Sequence, residues 1–89
     1  MAIEEVIDRA VRLKDSIVIE YCTRSGKIFK CRISDIEYSS YYGGGYILAY
    51  REDIKADRTF KIGRILKVNG YAFRHVFWRQ IGDDFKRIY

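Results

Sequence analysis

Arg51, Arg58 and Arg64 are interleaved with Tyr46, Tyr50 and Phe60 in the stretch from Gly43 to Ile65, GGGYILAYREDIKADRTFKIGRI. A guanidinium holds a phosphate through two parallel N–H donors, and an aromatic face stacks on a nucleobase. The chemistry on offer is recognition of a nucleotide or a single strand. The same residues also suit a half-buried sheet with a solvated charged face, and their spacing leaves both readings open. Other chemistries lack their parts. The single histidine, His75, has no Ser-His-Asp or Cys-His partner set around it. Cys22 and Cys31, far from His75, do not supply a structural zinc set. Asp83 and Asp84 are adjacent and diverge by about 100° on a helix. Gly43-Gly44-Gly45 lacks the Lys-Ser/Thr that completes a phosphate loop. No enzyme, cofactor or metal is expected.

The elements that position these groups follow from periodicity. Ile3, Val6, Ile7, Ala10 and Leu13 recur at helical spacing, which predicts a helix over Ala2 to Lys14, apolar on one face. Strands are expected over Ile17 to Cys22 and Lys27 to Ile33, joined by the turn Thr23-Arg24-Ser25-Gly26. Ser34-Asp35 reads as a break before a third strand, Ile36 to Tyr42. The glycines then turn the chain into Tyr46 to Tyr50, and Glu52 to Asp57 connects to a fifth strand, Arg58 to Ile62. Arg64 to Val68 either prolongs the sheet or forms a single turn, and Asn69-Gly70 is a turn pair. Phe73, Phe77, Ile81, Phe85 and Ile88 form a helical stripe in the tail. The expectation is a mainly β chain with α, a small bent five-stranded antiparallel sheet or partly open barrel with helices at both ends.

At 89 residues, 48% of them hydrophobic, the chain suits one domain, with helix and barrel over 1–68 and a tail over 69–89. No apolar run approaches about 20 residues, so no membrane span is expected. The N-terminus has no basic start and apolar middle, so a cytoplasmic chain with reduced thiols is expected. The net charge is +5 and unevenly spread. Arg58, Lys61, Arg64, Lys67, Arg74 and Arg79 fall between Arg58 and Gly82 with no acid among them. A basic half is what a polyanion-binding chain presents, and it also serves solubility.

The central stretch resembles the WYL domain family, whose run reads G-x-W-Y-L-x-A-Y, a short polar connector, then R-T-F-R-L-D-R-I. Here the residues are Gly43 to Tyr50, then Arg58-Thr59-Phe60-Lys61-Ile62-Gly63-Arg64-Ile65. Upstream, Ala10 to Gly26 is similar to the family's first helix end, first strand and hairpin. The likeness covers roughly residues 3–68. It departs from the pattern where the tripeptide is Gly45-Tyr46-Ile47, where Ile54 stands for a common arginine, and where Gly63 stands for an acid. The resemblance implies an Sm-like five-stranded barrel capped by an N-terminal helix, and a ligand-sensing or nucleic-acid-binding module. Family members act in transcription regulation, phage defence or beside CRISPR effectors, usually behind a DNA-binding winged helix. With no such segment here, a stand-alone module is expected.

The residues expected to hold single-stranded RNA or DNA, or a nucleotide, are Arg58 and Arg64 for phosphate, Tyr46 and Tyr21 for stacking, and Arg51 and Arg24 along a basic groove. Arg58 and Arg64 have a plain alternative as surface arginines pairing with Glu52, Asp53 or Asp57, and Tyr21 and Tyr46 as tyrosines in the core. Phe60 reads as core. A homodimer of this binding module is expected. A second reading is a protein-interaction or oligomerisation module that uses Phe73, Phe77, Trp78 and Phe85 of the tail.

Overall fold

The computed structural model describes residues 2–40 and 44–72. The tail stripe and the expected C-terminal helix, with Phe73, His75, Phe77, Trp78, Asp83, Asp84 and Phe85, lie outside the described residues, as do Tyr41 and Tyr42.

The chain runs α1 (Ile3–Leu13), β1 (Ile17–Cys22), β2 (Ile28–Tyr38), β3 (Tyr46–Arg51), β4 (Ala56–Lys61), a 3-10 turn (Ile62–Arg64) and β5 (Ile65–Val68). All pairs are antiparallel, in the order β4-β3-β2-β1-β5, so β5 returns to β1. The sheet is not closed: β4 and β5 are its two edges. No helix among the described residues is long and apolar enough to cross a membrane.

Helix α1 buries Ile3, Ile7 and Ala10. Leu13, expected on the same stripe, is 57% exposed. At 3.6 residues per turn it sits roughly 80° round from Ile3 and at the last turn, so it flanks the buried face. The Ala2 N–H donates to Glu5 Oε1 at 3.3 Å; alanine has no side-chain acceptor to complete a reciprocal cap. Lys14 ends the helix in the left-handed region at φ 56°.

The expected break at Ser34-Asp35 is a correction. Ile28–Tyr38 is one strand, and the expected second and third strands are its two halves. Pairing with β3 runs Ile33↔Arg51 and Ser34↔Tyr50, then resumes at Glu37↔Leu48 with one extra residue on β2. Asp35 takes φ 49° there. A bulge of this kind shifts side-chain parity by one. Cys31 and Ile33 are buried before it and Ile36 after it, so the strand keeps one apolar face through the bend. The fifth strand is Ile65–Val68, and the segment expected as fifth is the fourth.

The core is mostly β-branched. Ile3, Ile7, Ile19, Ile33, Ile47, Ile65 and Val68 are fully buried, with Phe60 at 2%. Asn69 closes this end: its Oδ1 accepts the Val18 N–H at 2.9 Å, and its own N–H donates to Val18 O at 2.7 Å. Both cysteines are free. In the β1–β2 register Cys31 opposes Ile19 and Cys22 opposes Ile28, which places the two thiols on opposite faces. Burial pushes the Cys31 thiol up.

Tyr38 ties the end of β2 to α1. Its O–H donates to Asp8 Oδ1 at 3.0 Å, and Arg12 Nε donates to Asp8 Oδ2 at 2.9 Å. Partial burial and then the bond to Asp8 push the Tyr38 phenol up from 10.0 to about 12. A phenol that binds its proton more tightly when folded contributes its full share below pH 10.0 and loses it as pH climbs through about 12. Tyr38 is 50% exposed, so solvent screening keeps this contribution small. Urea unfolding of wild type is expected to weaken more steeply than that of Tyr38→Phe across this window. Identical pH profiles would mean that the Tyr38–Asp8 bond contributes nothing.

Candidate functional site

Tyr21 stands near the end of β1, opposite Phe29 on β2, where pairing with β5 shifts between Glu20 and Tyr21. Its ring lies 5.7 Å from Phe29 and meets Phe60 edge-on at 5.1 Å. Such tilted pairs satisfy ring quadrupoles and fix the ring plane. Its hydroxyl accepts the Lys61 N–H at 2.9 Å. Lys61 in turn opposes Tyr46 in the β3–β4 register, so the two side chains share a face. The Ile62 N–H donates to Gly45 O at 2.9 Å and closes this corner. Gly45 at φ 80° and Gly44 at φ 105° deliver the chain into Tyr46, a path that glycine follows without strain.

Arg64 ends the 3-10 turn, and its Nη1 donates to Thr23 O at 3.4 Å. Thr23 opens the β1–β2 turn, in which its Oγ1 accepts the Lys27 N–H at 3.0 Å. Arg24 is the next residue. The turn therefore sets Arg24 beside the place where Arg64 is anchored.

Tyr21, Arg24, Tyr46 and Arg64, drawn from separate stretches, line one cleft of about 420 Å³ with Thr59 and Lys61. None of Arg24, Lys61 and Arg64 forms an ion pair among the described residues, whose pairs are Arg12–Asp8, Arg51–Asp53 and Lys67–Glu20. Among the described residues, no carboxylate lines the cleft. Burial pushes the Tyr21 phenol up, against the opposing pull of the Lys61 N–H and the Arg64 charge. It is a neutral O–H at physiological pH. A concave site lined by one sign of charge concentrates counter-ions, so this cleft favours anions.

Two of the expected binding residues are elsewhere. Arg51 donates to both oxygens of Asp53, at 2.7 and 2.9 Å, and its guanidinium lies 4.2 Å from the Phe29 ring centroid. The bond to Asp53 raises the Arg51 pKa and lowers that of Asp53. A surface pairing of this kind was the alternative for Arg58 and Arg64; it is Arg51 that makes it. Arg58 opposes Ala49 and shares the Phe60 face of β4, whereas Thr59 and Lys61 share the other. Its Nη1 donates to the carbonyl of Asp57 at 2.8 Å. Arg58→Ala is expected to leave both stability and any binding at the cleft within about 0.5 kcal/mol of wild type. A larger loss in denaturation or titration would show that β4 works through its Phe60 face.

Sequence reading passed over Lys61 and Thr59. The available signal was the strand register, since a hairpin that pairs Ile47 with Phe60 necessarily places Lys61 across from Tyr46. Among the described residues, no group of three or more His, Cys, Asp or Glu comes together to hold a metal. Compared with known proteins, the chain matches no family model and no curated sequence.

Proposed function

We propose that this chain is a WYL-like binding module that holds a nucleotide or single-stranded nucleic acid in the cleft between the β1–β2 turn, β3, β4 and the 3-10 turn. The observation that carries the reading is convergence. Two tyrosines and three cations, distant in sequence, line one concavity, and among the described residues the cations have no acidic partner and the lining holds no carboxylate. Arginine and lysine hold phosphate, and a tyrosine face stacks on a base. The Sm-like reading of the fold is supported by the return of β5 to β1, the 3-10 turn before it and the helix packed on the sheet. A regulatory role, with the bound nucleotide as signal, accords with the family resemblance.

The test is fluorescence anisotropy with labelled single-stranded RNA and DNA at two salt concentrations. Binding is expected to weaken with salt, because neutralised phosphates release counter-ions. A folded protein that binds neither oligomer at low salt, nor any mononucleotide, would overturn the proposal.

A further inference from the structure

We infer that the cleft is an end site: it takes one nucleotide bearing a terminal phosphate monoester, and not a strand threaded past it. This deepens the function proposed above and rests on it.

Donor supply at the cleft exceeds what a backbone diester uses. Arg24, Lys61 and Arg64 bring three cations, none held by a carboxylate among the described residues. Tyr21 adds a fourth donor. Its oxygen accepts the Lys61 N–H, and its own hydrogen has no acceptor among the described residues, so the O–H is available to the cleft it lines. A monoester carries about −1.5 to −2 at pH 7 and three terminal oxygens. A diester inside a strand carries a single charge.

Among the described residues of β3 and β4, the basic surface also stops at Lys61. A groove for a strand needs cations at successive backbone positions. Along β4, the next cation from Lys61 is Arg58, which faces the other side of the strand and donates to Asp57 O. Along β3, Arg51 is held by Asp53. The cleft, about 420 Å³, lies near the lower end of the roughly 300–1,000 Å³ range of small-ligand sites. One base against Tyr46 and one phosphate among Arg24, Lys61, Arg64 and Tyr21 use five of its six described lining residues, all but Thr59.

The decisive comparison uses the wild-type chain and calorimetric titration. The probes are AMP, an adenosine dinucleotide with a 5′-phosphate, a 3′-phosphate or neither, and the matching decamers. A phosphate-ended dinucleotide is expected to bind about tenfold more tightly than the unphosphorylated one. Extension to ten nucleotides should change its Kd less than about threefold. Lowering the pH from about 7.5 to about 5.5 should weaken the phosphate-ended probe selectively, as the monoester loses its second charge. AMP binding as tightly as that dinucleotide identifies a free mononucleotide as sufficient; much weaker AMP binding identifies a strand end. Tyr21→Phe and Arg64→Gln should erase the preference for a phosphate end, and Arg58→Ala should keep it. Affinity that climbs with length whatever the end overturns the end site and leaves the proposed function standing. No binding of any probe by the folded chain overturns both.

Discussion

Phe60→Ala is expected to destabilise the protein by about 3–5 kcal/mol, the range for removing a buried aromatic ring from a core. Phe60 is 2% exposed, opposes fully buried Ile47 across β3–β4 and supports Tyr21 edge-on at 5.1 Å. Alanine leaves a void between these partners. A domain of this size has a total stability of about 5–15 kcal/mol, so the variant sits near the threshold of folding. The loss also reaches the cleft, because Tyr21 is then free to tilt. Urea titration followed by circular dichroism measures the stability change. Phe60→Leu retains most of the volume and is expected to cost clearly less. A loss below about 1 kcal/mol for the alanine variant would contradict close packing at this end of the core.

Arg64→Ala is expected to weaken binding at the cleft by about 1.5–3 kcal/mol, the range for a hydrogen bond to a charged group. Stability should change little, since the bond to Thr23 O is long at 3.4 Å and only partly buried. If the ligand is single-stranded nucleic acid, the salt slope should also fall by about 0.7 for one lost phosphate contact. Arg64→Lys restores the charge but not the planar fork, so it should recover only part of the affinity. Measured beside Arg58→Ala, the pair decides between the cleft and the Phe60 face of β4. Loss in Arg64→Ala alone places it at the cleft. Loss in Arg58→Ala alone moves it to the Phe60 face.

Much of the fold was legible because its signals are local. Periodicity marked α1 to within its caps, and alternation marked β1, β3 and the buried Phe60. The bulge was not legible. Ser34-Asp35 interrupts alternation as a loop does, and only pairing with β3 on both sides makes it an irregularity inside one strand. The chance that Arg51 and Arg58 were surface groups was stated from sequence, but nothing local chose between that and a phosphate contact. Asp53, two residues on, captures Arg51 through the tight turn after β3. Arg58 shares the parity of buried Phe60, which sets it on the opposite face of β4 from Thr59 and Lys61.

The sequence by itself determined an N-terminal amphipathic helix, a β-rich body, a basic central stretch and a supply of tyrosines and arginines suited to nucleotides. These properties depend on residue type and on neighbours a few positions away. Only the tertiary structure decided which of those residues meet. Tyr21 and Lys61, forty positions apart, are joined by one hydrogen bond, and Arg64 reaches back forty-one positions to Thr23. Such contacts depend on strand order and register, which are set by how the apolar faces of all five strands and α1 close on one core, and no short stretch of the chain encodes that arrangement alone.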